Sequence, residues 1–265
     1  MPTAAINDVD LYYEIHGSGD PLLLVAGLAS DSQSWLPVLE GLAQQYRVIA
    51  VDNRGVGRTT PADADVSIPQ IADDCIALIR HLGLSSANVL GHSMGGFAAL
   101  DCAIRYPECV DKLILAATSA ANSGRNNALF ADWVRCLESG MDPGLWFRSL
   151  FYWLFTARFF ENKQAVDEAV RFAVEYPYPQ SKAALKNQVK AIAEFNCEDG
   201  LAAISAKTLV ICGEEDLLFP PEKGVKLSKA IRDARVSSIP NAAHSIHMEA
   251  PQAFTHCVLG FLSTQ

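Results

Sequence analysis

Ala87-Asn-Val-Leu-Gly91-His-Ser93-Met-Gly95-Gly96 is the stretch on which the reading of the whole chain turns. Its first five residues form a short apolar run with the composition of a buried strand, and from Met94 to Arg105 the apolar spacing becomes helical. Between the two lies Gly-x-Ser-x-Gly. A serine at the tip of so tight a strand-to-helix turn takes a strained backbone conformation. Side chains two positions to either side would collide, which is why glycines stand at 91 and 95. The amides opening the next helix point at the serine and favour negative charge developing there. The pentapeptide alone is a weak signal; its strand–turn–helix setting makes Ser93 a candidate nucleophile.

Outward from this turn the same alternation repeats. Runs rich in Leu, Val and Ile at 21–26, 47–52, 112–117, 208–212 and 235–239 join 87–91 as expected strands. Their near-continuous hydrophobicity implies burial on both faces, as in a parallel sheet covered by helices. Helices are expected at 34–44, 69–82, 94–105, 221–231 and 251–262, with Pro69, Pro221 and Pro251 at helix starts, where a missing N–H goes unnoticed. A hairpin, 4–6 and 10–15 around the Asn7-Asp8 turn, precedes them, its alternating Leu11, Tyr13 and Ile15 fitting a half-buried strand. The expected fold class is α/β: a mostly parallel sheet of about eight strands with helices on both faces.

The stretch from 118 to 207 breaks the rhythm, with helical periodicity and no strand pattern. It holds Trp133, Trp146, Phe147, Phe151, Tyr152, Trp153, Phe155, Phe159 and Phe160. We expect a helical cap insertion over 121–199, set into a core of 1–120 and 200–265 and lying over the sheet's C-terminal edge, where such sheets place ligand crevices. Trp146, Phe151, Trp153 and Phe155 are the expected pocket residues, although ordinary packing accounts for most aromatics in such a segment. Arg125, Arg135, Arg148 and Arg158 lie in the same insertion. One of them pointing inward would suit a carboxylate-bearing substrate; all of them facing water would suit a neutral one.

Composition narrows the field. Of 265 residues, 50% are hydrophobic and 19% charged, which is globular and can bury a sizeable core without disulfides or metals. The net charge of −9, from 21 basic and 30 acidic residues, offers no basic stripe to neutralise phosphates, so no nucleic-acid partner is expected. The seven cysteines are scattered singly, with neither C-x-x-C nor zinc spacing, and read as reduced core thiols. The N-terminus lacks the pattern of a signal peptide and no apolar run is long enough to span a bilayer, so a cytoplasmic protein with no membrane partner is expected. Arg54-Gly-Val-Gly57 lacks the third glycine of a dinucleotide fingerprint, and no P-loop occurs. Oligomeric state is unreadable from these features.

A serine nucleophile needs a base, and the base an orienting acid. Gly213-Glu-Glu-Asp216 follows the 208–212 strand, and Asn241-Ala-Ala-His244-Ser-Ile-His247-Met-Glu249 follows the 235–239 strand. Asp216 is the expected acid, with Glu214 and Glu215 as competitors, and His244 the expected base, with His247 as rival. His16, His81 and His256 fall in a turn, near a helix end and within the last helix; His92, inside the elbow, faces away from the serine. An oxyanion hole takes two backbone N–H groups. Met94, the residue after the nucleophile, supplies one, and Leu28, in the Gly27-Leu28-Ala29 turn after the 21–26 strand, is assigned the other.

Taken together these residues resemble the α/β-hydrolase superfamily along essentially the whole chain. Val51-Asp-Asn-Arg-Gly-Val-Gly-Arg-Thr59 resembles its D-x-R-G-x-G-x-S/T loop, Gly213-Glu-Glu-Asp-Leu-Leu-Phe-Pro220 its acid loop, and His244-Ser-Ile-His-Met-Glu-Ala-Pro251 its H-x-x-x-x-E-x-P end. The resemblance implies the chain order Ser, acid, His, which Ser93, Asp216 and His244 follow. Some related enzymes carry the acid after the sixth strand; here 118–123 reads Thr-Ser-Ala-Ala-Asn-Ser, with no carboxylate. Two positions depart from the family. Ala26-Gly27 stands where His-Gly is usual, which leaves open how the oxyanion loop is buttressed, and Ala243 stands where Gly precedes the catalytic His. Members resembling 3-oxoadipate enol-lactonases share both departures.

The implied activity is a serine carboxylic ester hydrolase, an esterase or lactonase acting on a small ester or lactone through an acyl-enzyme, without metal or organic cofactor. Carbon–carbon bond hydrolases share the triad, and a small-molecule sensor that does not turn over is a third reading. Haloalkane dehalogenation, which needs an aspartate nucleophile, is excluded by Ser93.

Overall fold

The computed structural model describes residues 2–264. Strands β1 (Thr3–Ile6), β2 (Val9–His16) and β3 (Asp20–Val25) come first, followed by α1 (Leu36–Ala43), β4 (Tyr46–Val51), α2 (Ile68–His81), β5 (Ala87–His92), α3 (Met94–Arg105) and β6 (Val110–Ala116). Five helices then intervene: α4 (Gly124–Glu138), α5 (Pro143–Leu154), α6 (Ala157–Glu161), α7 (Lys163–Val174) and α8 (Lys182–Glu194). The chain returns to the sheet with β7 (Lys207–Gly213), α9 (Pro221–Ala230), β8 (Ala234–Ile239), α10 (Ile246–Glu249) and α11 (Pro251–Leu262).

The eight strands form one sheet in the order β1-β2-β4-β3-β5-β6-β7-β8, antiparallel at β1–β2 and β2–β4 and parallel thereafter. Alternation of side chains across the pleat explains the unbroken apolar runs. Leu23, Val25, Ile49, Val51, Val89, Leu113, Leu115 and Val210 pack on the face covered by α2 and α3. Leu22, Leu24, Val48, Ala50, Leu90, Ile114, Leu209 and Ile211 pack on the face covered by α1 and α11. Each Val, Leu or Ile among them contributes roughly 1.5–3 kcal/mol by leaving water.

Strand β8 departs from the expected burial on both faces. Ile239 is its one buried residue, because β8 is the sheet's edge and pairs with β7 alone. The expected 34–44 helix also begins later: Asp31 accepts the Gln33 N–H and caps a 3₁₀ turn over Ser32–Trp35 before α1 starts at Leu36.

The five helices between β6 and β7 leave and rejoin the sheet at one neck, where Ala121 bridges Asn196 and the Cys197 N–H donates to the Ala120 carbonyl at 3.0 Å. Ser123 and Ser181 cap α4 and α8 by accepting backbone N–H groups at the third helical positions. All seven cysteines are free thiols.

In the sheet order β4-β3-β5 the chain reverses its winding direction, because β4 lies to one side of β3 and β5 to the other. The loops after β3 and β5 therefore open side by side at the sheet's C-terminal edge, where such sheets bind ligands.

Candidate active site

Ser93 caps α3 at φ 55° and ψ −117°, a conformation that costs a residue with a Cβ about 1–3 kcal/mol. Strand β6 and its exit hold it there. The Ser93 N–H donates to the Ala116 carbonyl at 2.9 Å, and the Thr118 hydroxyl donates to the Ser93 carbonyl at 2.8 Å. The tight turn leaves no room for side chains beside it: a Cβ on Gly91 would overlap the Gly95 carbonyl, and one on Gly95 the Val25 carbonyl.

Asp216 lies in the loop after β7 and is buried, whereas Glu214 and Glu215 beside it are exposed. Its Oδ1 accepts the Leu218 and Phe219 N–H groups at 2.8 and 2.9 Å, and its Oδ2 faces His244 Nδ1 at 3.0 Å. Burial alone would raise the Asp216 pKa, but the His244 ring and these two amides outweigh it and hold the carboxyl below its ordinary range. The carboxylate thus accepts from Nδ1–H, which leaves Nε2 of His244 free to take a proton. Glu249 braces this loop. Its Oε2 accepts the Ala243 N–H at 2.8 Å, and its Oε1 accepts the N–H and hydroxyl of Thr156 at 2.9 and 2.8 Å. The Ser245 N–H donates to the Leu154 carbonyl at 2.9 Å, a second tie between the histidine loop and the inserted helices.

His247 does not approach the carboxylate. It is wholly buried between Trp35, His92 and Phe254, with ring centroids 4.7, 4.6 and 5.9 Å away. Among the described residues neither ring nitrogen makes a hydrogen bond of good geometry, and the Ser34 backbone is the polar group beside the ring. His92 Nε2 donates to the His244 carbonyl at 2.9 Å, so its proton sits on that nitrogen. Burial, then the neighbouring imidazole of His244, pushes the His92 pKa down to about 3; burial, then His92 and His244, drives that of His247 well below its usual value. The elbow thus rests on two neutral imidazoles, an arrangement the sequence pattern did not reveal.

Ser93 and His244 line one cavity, together with Gly27, Leu28, Ala29, Leu218 and His247. Among the described residues nothing hydrogen-bonds the Ser93 hydroxyl, and neither the Leu28 nor the Met94 N–H donates to a turn or loop carbonyl. Met94 follows the serine directly, and Leu28 lines the same cavity. Gly27 abuts the serine so closely that a Cβ at 27 would lie 3.2 Å from the Ser93 Cβ. The cavity has about 60 Å³ of free volume and is roofed by Phe130, Trp133, Trp146, Leu150, Leu154 and Leu185.

A family model described as alpha/beta hydrolase fold matches residues 20–251. The chain belongs to the α/β-hydrolase fold family. Among relatives of this α/β hydrolase, a protein of Azorhizobium caulinodans named "Putative carbamate hydrolase RutD" is 31% identical over 263 residues, covering 98% of each chain. The enol-lactonase from Burkholderia xenovorans LB400 superposes with a TM-score of 0.89 at 26% identity, over 99% of this chain and 100% of its own. A thermophilic esterase from Thermogutta terrifontis does so at 0.86 and 28% identity, over 98% and 95%.

Of the four aromatic residues expected to line the pocket of this α/β hydrolase, Trp146 reaches the cavity and Phe151, Trp153 and Phe155 do not. The face that α5 presents runs 146-150-154, one residue every turn, which brings Leu150 and Leu154 to the cavity with Trp146. Phe151 and Phe155 lie one position round and pack edge-to-face on each other at 5.3 Å, while Trp153 sits under the Arg125 guanidinium. Phe130 and Trp133, stacked at 5.0 Å on α4, take the places expected of them. None of the four arginines lines the cavity. Arg125 donates to the Leu217 carbonyl, Arg135 pairs with Asp132, Arg148 with Asp167, and Arg158 with the Asn241 side chain.

Proposed function

We propose that the protein hydrolyses a small, uncharged carboxylic ester or lactone through an acyl-enzyme on Ser93, with His244 as base and Asp216 as its orienting acid. The observation that carries this reading is the buried His244–Asp216 pair at 3.0 Å, opening with Ser93 into one apolar cavity. His244 Nε2 takes the hydroxyl proton as Ser93 Oγ attacks the carbonyl carbon. The imidazolium so formed is stabilised by Asp216 and returns the proton to the leaving oxygen. Water, deprotonated by the same ring, then splits the acyl-enzyme. The N–H groups of Leu28 and Met94 take up the negative charge of each tetrahedral intermediate. A serine–histidine hydrogen bond of this kind commonly tightens only in the complex with substrate.

The cavity supports the substrate class. Its lining carries no Lys or Arg to pair with a carboxylate, which favours the neutral substrate over the anionic one. Since about 10–15 Å³ accommodates one water, a free volume of about 60 Å³ suits a short acyl group better than a long chain. We read the five inserted helices as the cap that supplies this roof. The similarity to the enol-lactonase, the esterase and the RutD relative places lactones, simple esters and carbamates in the screen.

The test is a panel of p-nitrophenyl esters and lactones with the parent protein and Ser93→Ala. The parent should prefer acetate to octanoate and neutral to carboxylated esters, and Ser93→Ala should lose turnover while keeping its fold. Residual turnover in the alanine variant equal to the parent's would remove Ser93 from the mechanism.

A further inference from the structure

His92 closes β5 immediately before Ser93, and its side chain reaches the loop after β8 that carries the base. Its Nε2–H donates at 2.9 Å to the carbonyl of His244 itself. The donor is thus one peptide from the nucleophile, and the acceptor belongs to the residue that must take the nucleophile's proton. Burial keeps the His92 ring neutral, so this is the one N–H it has to give.

The other contacts of His244 leave its distance from the serine unset. Asp216 Oδ2 takes the Nδ1–H at 3.0 Å, which fixes the tautomer but lets the ring pivot about that bond. Phe219 stacks on the ring with centroids 5.6 Å apart and planes at 24°, and the His92 ring lies 4.9 Å from it at 51°. The neighbouring backbone bonds, Ala243 N–H to Glu249 and Ser245 N–H to the Leu154 carbonyl, refer the loop to its own C-terminal end and to the inserted helices. The His92 bond refers it to β5. It holds the His244 carbonyl, and through it the Cα from which the imidazole hangs, to the strand that ends in the elbow.

We infer that His92 is a positioning residue, whose Nε2–H bond to the His244 carbonyl holds the base in register with the serine one position along the chain. The inference rests on the serine-hydrolase reading above.

Two neutral amides separate the bond from the bulk of the ring. A glutamine Nε2 stands as many bonds from Cβ as the histidine Nε2. An asparagine Nδ2 reaches only about as far as Nδ1, the ring atom beside Gly27. His92→Asn should therefore lower kcat on p-nitrophenyl acetate about tenfold or more, toward the roughly hundredfold that a misplacement of about 1 Å can cost, with KM little changed. His92→Gln should keep most of the parent's kcat. The rate of Ser93 phosphonylation by a fluorophosphonate, which needs the base but no deacylation, should follow the same order. In the unsubstituted protein, NMR of isotope-labelled histidine should find the His92 proton on Nε2 and the His244 proton on Nδ1.

A merely structural histidine would lower the melting temperature of both variants and leave kcat per folded molecule alone. Equal kcat in the three folded proteins, or a loss as deep in His92→Gln as in His92→Asn, overturns the inference, and so does a His92 proton on Nδ1. Should His92→Asn fail to fold, His92→Gln and the parent's tautomer still decide. If Ser93→Ala is inactive and the His92 variants match the parent, only the inference falls. If Ser93→Ala retains turnover, the serine reading falls and takes the inference with it, whatever the tautomer.

Discussion

Asp216→Asn separates the chemistry of the acid from its place in the fold. An asparagine Oδ1 can still accept the Leu218 and Phe219 N–H groups that hold the loop at 2.8 and 2.9 Å, so the backbone should stay where it is. The change falls on the other side, where Nδ2 now donates to His244 Nδ1 across the former 3.0 Å contact. That forces the ring proton onto Nε2, the nitrogen proposed to accept the serine proton, and it removes the anion that would stabilise the imidazolium. At 3.0 Å and an effective dielectric of about 20, the lost attraction is about 5.5 kcal/mol, or roughly four orders of magnitude in rate. The assay is kcat/KM for p-nitrophenyl acetate, with circular dichroism and the melting temperature confirming an intact fold. A folded Asp216→Asn protein keeping a tenth or more of the parent's activity would refute the role given to this carboxylate.

Two further expectations concern stability. The folded chain refuses a proton at His92 until about pH 3, whereas the unfolded chain binds one near its ordinary value of 6.5, and His247 shifts in the same direction. Stability is therefore full above pH 6.5 and declines as pH falls below it, by up to about 1.4 kcal/mol per unit for each ring. The depressed Asp216 adds nothing in that window, since its contribution is lost only at more acid pH. Urea unfolding at pH 7, 6 and 5 tests this, and equal free energies at all three would contradict it. Gly95→Ala should cost about 3 kcal/mol or more, because the new methyl overlaps the Val25 carbonyl at the crowded elbow. Gly124→Ala, with open space around position 124, is the control and should be nearly neutral; urea midpoints that fail to separate the two would contradict the crowding argument.

What could be read from the residues alone was whatever the backbone geometry dictates. The elbow at 91–95 needs glycines beside its serine, so the motif is visible in any sequence that folds this way. The strands at β3, β4, β5, β6 and β7 are covered on both faces and so read as unbroken apolar runs. The same reasoning overreached at β8, an edge strand in which Ile239 alone is buried and the apolar Val236 is exposed. The roof of the cavity was not legible for a different reason. Helix α5 is apolar nearly all round, and only its packing against α4 and α7 selects the 146-150-154 face over the aromatic 151-155 pair. The burial of Gln188 on α8 was equally hidden. A polar side chain in a helical stretch reads as a solvated face, and only the fold shows which one has been turned inward.

The three hydrogen bonds that Glu249 accepts from Ala243 and Thr156 tie the loop bearing His244 to the helical segment above it. Transplanting that segment from a homologue to change substrate range is therefore not a modular exchange. A chimaera must inherit a partner for position 249 at position 156, or it will acquire a new roof and lose the alignment of its imidazole in the same step. Successful recombination within this lineage should break the chain outside 154–249, never inside it.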